Sequence, residues 1–203
     1  VSTLRPMREG EEKWAFTAAL PINAPGLKIM SRRSYEAAAT SEFDYPLSAR
    51  FDENDALVFF EDVKVPWERV FVNGDVPTQF AQWHSTPAHS YQNYQAEIRL
   101  MVKLRFLVGL ARRITETTAS INFPQVVEKL GELSSQLQII EAFVIAMEAK
   151  GWRYGEYYLP DRELLYASQV QSQSLYPKVV QTLRDMAGGG MIMLPSSIED
   201  FAD

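Results

Sequence analysis

Two periodicities divide the chain. From about residue 90 onward, apolar side chains return every three or four positions, the spacing of one face of an α-helix. In "QAEIRLMVKLRFLVGLARRITE" the stripe is Leu100, Leu104, Leu107, Ala111 and Ile114. Met101, Val108 and Leu110 widen it, which predicts a helix buried over most of its surface. A second helix is predicted from Asn122, where Gln125 three residues on matches a capping box. Its stripe is Val126, Leu130, Leu133, Leu137, Ile140, Val144 and Met147. A third follows Pro160-Asp161 and runs to Met186, with Leu164, Gln171, Leu175, Val179 and Leu183 along one face. Pro177 is placed to bend or divide it.

Up to about residue 80 the apolar runs are shorter and broken. Trp14 to Leu20 is an aromatic, strand-favouring run that stops at Pro21. Asn23-Ala24-Pro25-Gly26 then predicts a turn, because proline presets φ and glycine supplies a positive one. Leu57 to Phe60 open a second run, continued by alternating Val63, Val65 and Trp67. Pro66 has no N–H to give a ladder, so that strand lies at an edge or ends there. Between the runs, "RFDENDA" reads as an acidic loop. Strands first and helices afterwards predict an α+β chain. No internal repeat or low-complexity tract interrupts it.

Composition narrows the classes of function. The 203 residues are 46% hydrophobic, enough for a sizeable core. A net charge of −6 argues against nucleic acid or an anionic membrane as the main partner. The longest apolar runs fall far short of the ~18 residues of a membrane span. Val1 to Pro6 lacks the apolar segment of a signal peptide. With no cysteine there is no disulfide, thiolate nucleophile, iron–sulfur ligand or Cys-type zinc site in this stretch. The expectation is a soluble cytoplasmic protein.

Few residues offer chemistry. His84 and His89 are five apart, whereas helical metal ligands want three or four, and no third ligand stands near; they read as structural. "FDENDALVFFED" lacks the glycine and closing glutamate of a calcium loop and reads as solvated. No Gly-x-Ser-x-Gly elbow occurs. The run Gly188, Gly189, Gly190 stands apart, because one glycine suffices to stop a helix. Two more suit close backbone approach to a large group such as a pyrophosphate, or to a neighbouring subunit. The pattern is not Gly-x-Gly-x-x-Gly after a strand, so a Rossmann site is disfavoured.

Four segments in order carry a resemblance: "LPINAPGL", "SARFDENDALVFFEDVKVPWERVF", "QNYQAEIRLMVKLRFLVGLA" and "AGGGMIMLPSSIEDFA". Together they resemble the oxygenase components of the 4-hydroxyphenylacetate 3-hydroxylase family, flavin-dependent monooxygenases on the acyl-CoA dehydrogenase fold. Phe60 to Trp67 and Ile121 to Leu133 are similar to motifs of that wider superfamily. The resemblance implies that residues 1–80 are part of a middle β-barrel domain. It makes residues 81–203 a C-terminal helical bundle domain, incomplete at its end. It also implies reduced FAD supplied by a separate flavin reductase, O2, and hydroxylation of a phenol such as 4-hydroxyphenylacetate ortho to its hydroxyl. A homo-oligomer is expected, a dimer or tetramer.

For individual residues the resemblance implies little. Gly188, Gly189 and Gly190 fall where the superfamily's C-terminal glycine motif meets FAD. Ser2 and Thr3 fall about where a family loop offers hydroxyls to the substrate carboxylate. Ser120 stands where the dehydrogenases keep an arginine for a partner's FAD, and Pro124 replaces their glycine, a departure from that pattern. No catalytic residue and no metal ligand is assigned. Two other readings stay open: a 4-hydroxybutyryl-CoA dehydratase-like lyase on the same scaffold, disfavoured by the missing cysteines, and a non-catalytic piece acting only in assembly.

Overall fold

A computed structural model describes residues 1–3 and 5–202. Asp203, which closes the predicted helical domain, lies outside the described residues. In chain order the elements are β1 (Phe16–Ala18), β2 (Leu27–Ser31), α1 (Tyr35–Ala38), β3 (Ala56–Phe60), β4 (Val70–Asn73), α2 (Val76–His84), α3 (Ala88–Thr117), α4 (Pro124–Ala149), β5 (Trp152–Tyr154), β6 (Tyr157–Leu159), α5 (Arg162–Ala187) and α6 (Gly190–Met193). The chain is mixed α and β, as the two periodicities predict. It clusters into two units, one of Val1–Phe80 with Met193–Asp203 and one of Ala81–Ile192.

In the helical unit, α3, α4 and α5 pack around Leu104, Ala111, Leu133, Ile140, Leu175 and Val179, all at most 4% exposed. Each buried leucine or isoleucine of this kind is worth about 1.5–3 kcal/mol of transfer free energy. Leu100, Leu104, Leu107 and Ala111 of the α3 stripe and Leu130, Leu133, Leu137 and Ile140 of the α4 stripe face this core as their spacing predicts. Those of α5 do so only in its second half: Leu165 and Ser168 are buried, while Leu164 is half-buried and Gln171 exposed. A stripe that starts one residue later satisfies the packing, because Asp161 caps the helix by accepting from the Leu164 N–H at 2.9 Å and so sets its phase. The helix runs through Pro177 without a break. At α4 the predicted capping box does not form. Phe123 is the N-cap, without a side-chain bond, and Pro124 takes the first helical position, where its missing N–H costs nothing. The β5–β6 hairpin, closed by Gly155 at φ +58°, and helix α2 have no counterpart in the sequence reading.

In the strand-rich unit, β1 pairs antiparallel with β4 and β2 antiparallel with β3. Pro25 and Gly26 form the predicted turn: Gly26 has φ +84° and the Leu27 N–H reaches Ala24 O at 3.0 Å. A Cβ on Gly26 would lie 2.0 Å from Glu61 O, so this position excludes any other residue. The predicted strand through Val63, Val65 and Trp67 is not one. The ladder ends where the Glu61 N–H bonds to Gly26 O, Asp62 turns the backbone with φ +48°, and Trp67–Arg69 is a single 3-10 turn. Asp52 ties the loop before β3, accepting from Arg32 Nη2, Ser34 Oγ and the Tyr35 N–H. Among the described residues the strands form three two-stranded ladders and no closed barrel.

Candidate functional site

The glycine run closes α5. Gly188 takes φ +59° and ψ −149°, a region open essentially only to glycine, and its N–H reaches Arg184 O at 3.0 Å. A Cβ there would meet no heavy atom within 4 Å, so backbone conformation rather than crowding demands glycine. Gly189 accepts from the Ile192 N–H at 3.0 Å, starting the single turn α6. Gly188 and Gly189 are exposed and Gly190 is half-buried. The stretch is followed by exposed Met191 and Ile192.

Ser2 and Thr3 are tied into a different arrangement. Ser2 bridges to Thr17, and their hydroxyls lie 2.8 Å apart. Gln79 on α2, 3% exposed, clamps the pair. Its Oε1 accepts from Thr17 Oγ1 at 2.9 Å, and its Nε2 donates to Ser2 Oγ at 3.0 Å and to Thr3 O at 2.6 Å. The Thr3 hydroxyl donates to Trp14 O at 2.7 Å. With Thr17 donating to Gln79, the Ser2 hydroxyl is the donor toward Thr17. Both hydroxyl protons are therefore engaged within the protein. Gln79 gave no sequence signal, because a single glutamine becomes a clamp only once α2 is laid beside β1.

The two histidines meet in the helical unit. Their rings are 5.0 Å apart, and His89 also makes edge contacts with Trp83 at 5.4 Å and Tyr166 at 5.6 Å. Burial first, then the charges of His84 and Arg162, hold the His89 imidazole below its ordinary pKa and favour its neutral form. Arg162 is placed by Ser90 Oγ and His84 O, each at 3.4 Å. Among the described residues no group of three or more His, Cys, Asp or Glu side chains could hold a metal ion. The Ser120 hydroxyl lies 2.9 Å from Thr118 Oγ1 in the turn between α3 and α4.

Two ionisable groups on α3 are set by tertiary contacts. Tyr94 donates to Glu148 Oε1, and burial together with that bond pushes its phenol up to about 12. Glu97 is 3% exposed and accepts at Oε2 from Ser168 Oγ of α5 at 2.5 Å. Burial pushes its carboxyl above the usual range, and the Ser168 bond partly offsets this. Their positions along α3 carry no mark that separates them from surface residues.

Family models describing 4-hydroxyphenylacetate 3-hydroxylase match the chain twice, the N-terminal model over residues 1–72 and the C-terminal model over residues 80–203. The chain belongs to the 4-hydroxyphenylacetate 3-hydroxylase family. It is 36% identical to the 4-hydroxyphenylacetate 3-monooxygenase oxygenase component of Pseudomonas aeruginosa, covering 92% of this chain and 37% of that protein. To the protein of the same name from Thermus thermophilus it is 34% identical, over 96% of this chain and 40% of that one. The chain thus spans about two fifths of the length of the curated relatives it matches. Among solved structures it is similar to the oxygenase component (HpaB) of 4-hydroxyphenylacetate 3-monooxygenase complexed with FAD and 4-hydroxyphenylacetate. The TM-score is 0.86 at 33% identity, covering 95% of this chain and 40% of that one. An archaeal 4-hydroxybutyryl-CoA dehydratase from N. maritimus has a TM-score of 0.82 at 23% identity, covering 98% of this chain and 40% of that chain, which is a likeness of fold alone.

Proposed function

We propose that this chain forms part of the oxygenase component of a two-component flavin monooxygenase. The complete protein hydroxylates a phenol such as 4-hydroxyphenylacetate to a catechol, using O2 and reduced FAD from a separate flavin reductase. The observation that carries this reading is the likeness, across nearly all of the chain, to an oxygenase holding both FAD and that phenol. In this reading residues 1–80 belong to a β-barrel domain and residues 81–203 to a helical bundle domain, in a cytoplasmic homo-oligomer.

Reduced flavin, when bound, supplies the activation of O2. This chain's part is to hold and orient. The backbone of Gly188, Gly189 and Gly190, exposed at the first two and half-buried at the third, suits close approach by the FAD phosphate or ribose, with no Cβ in the way. Ser2 and Thr3 are proposed to face the substrate carboxylate. To donate there, their hydroxyls would exchange Thr17 and Trp14 O for the ligand, so this contact trades one hydrogen bond for another.

The test uses the full-length protein. Reduced FAD is titrated anaerobically, then O2 is admitted with 4-hydroxyphenylacetate; saturable flavin binding and a catechol product are expected. Absence of both would sink the reading. Gly189→Val should weaken reduced-FAD binding by about tenfold, ~1.4 kcal/mol. An unchanged affinity would leave the glycine run a helix stop only.

A further inference from the structure

The buried carboxamide of Gln79 sets the direction of the hydrogen bonds around Ser2 and Thr3. One contact fixes its own orientation. The Thr3 carbonyl lies 2.6 Å away and can only accept, so the group beside it is the NH2 of Nε2. The second proton of Nε2 goes to Ser2 Oγ at 3.0 Å. Oε1 then faces Thr17 Oγ1 at 2.9 Å and can only accept, so Thr17 is the donor. With its proton committed there, Thr17 accepts from Ser2 at 2.8 Å. Both N–H groups and the oxygen of the amide are thus used, as burial to 3% exposure requires.

The amide is itself held in place. Asp75, just before α2, accepts from the Thr78 N–H at 2.9 Å and from the Thr78 hydroxyl at 2.6 Å, and the Gln79 N–H closes on Asp75 O at 2.9 Å. The Thr3 N–H in turn reaches Phe16 O at 3.2 Å. The Ser2–Thr3 segment is therefore gripped through its backbone by β1 and through one side chain by α2.

We propose, on the reading that Ser2 and Thr3 face the substrate carboxylate, that Gln79 is a positioning residue for that end of the phenol, acting through those two. Its Nε2 directs the positive end of an amide dipole at Ser2 Oγ, which polarises the Ser2 hydroxyl into a better donor. Thr17 acts in the opposite sense, because it competes with the ligand for the Ser2 proton. The balance of the two sets the preference for an anionic head over a neutral one. A carboxylate takes a charge-assisted bond, roughly twice as strong as the bond a neutral acceptor takes from the same hydroxyl.

The test titrates full-length protein, anaerobically and with reduced FAD present, with 4-hydroxyphenylacetate and with its methyl ester, which keeps the phenol and loses the charge. The ratio of the two affinities decides, because a purely structural loss lowers both alike. Gln79→Glu keeps the shape, removes both donors and sets a negative charge beside Ser2 Oγ and Thr3 O; it should lower the preference for the acid by about tenfold. Gln79→Met removes the donors without adding a charge and should lower the preference severalfold, with the melting temperature recording any loss of folding separately. Thr17→Val takes away the competing acceptor and should raise the preference severalfold. A ratio unmoved in all three variants, or one that Thr17→Val shifts in the same direction as Gln79→Glu, would overturn the role of Gln79 while leaving the functional reading intact. Failure of the wild-type protein to bind either phenol would sink that reading, and the role of Gln79 with it.

Discussion

The helical unit and the strand-rich unit bury their apolar residues to very different degrees. In α3, α4 and α5 the large side chains meet one another, and several reach 0% exposure. In β2 and β3 all but one residue is exposed, Ile29, Leu57, Val58, Phe59 and Phe60 included. A long amphipathic helix buries a whole stripe once two neighbours are present, whereas a two-stranded ladder covers neither of its faces. The packing of α3, α4 and α5 therefore supplies a core that the β2–β3 hairpin lacks, and the hairpin is held by its turn and its ladder.

Truncation should expose that contrast most sharply. Leu104→Ala is expected to cost about 2–5 kcal/mol in chemical denaturation, from lost burial and the cavity left behind. Phe59→Ala, a larger deletion but on an exposed strand, should stay within roughly 0.5 kcal/mol, and a cost near that of Leu104→Ala would break the comparison. Next comes the turn on which the hairpin depends. Gly26→Val should destabilise by about 2–3 kcal/mol, because it meets both a positive φ and the Glu61 carbonyl; a neutral result would mean that β2–β3 does not rest on this turn. Asp161→Ala, removing the α5 cap, is expected to cost ~1 kcal/mol, visible as a small drop in melting temperature.

The smallest effects are slopes against pH, and the two units should give opposite signs. Asp52 in the strand-rich unit is held down to about 2, chiefly by Arg32. Its folded pKa lies below the unfolded one, so its contribution is present above the ordinary aspartate range and is lost as pH falls toward about 2. Glu97 in the helical unit is shifted upward by burial. There the folded state binds the proton more tightly, so stability is greatest below the ordinary glutamate pKa and declines as pH rises through the folded value. Asp52→Asn and Glu97→Gln should each remove one of these slopes in pH-dependent denaturation. Slopes of the same sign would contradict the assignment.

Much of this was legible in the residues. The α3 and α4 stripes, the start and end of α5 and the Pro25-Gly26 turn follow from spacing or from local backbone chemistry, which act within a few residues. The phase of the α5 stripe differs by one position from what its spacing predicts, because Leu164 and Leu165 are both apolar and only the cap and the neighbouring helices choose between them. The strand expected at Val63 to Trp67 failed because alternation alone does not supply a pairing partner. Of the sites, the glycine run was visible as an excess over what a helix stop needs. Gln79, Glu97 and Ser168 were not, since a polar residue acquires its role from what is packed against it.

The sequence by itself determined which segments could be helices, where the chain must turn with a positive φ, and, through four ordered motifs, the family. These are properties of neighbours along the chain. Only the tertiary structure decided that Ser2 and Thr3 spend their hydroxyls on Thr17 and Trp14, and that Glu97 meets Ser168 from 71 residues away. Burial sets the energy of a polar group, and burial is a property of the packed molecule.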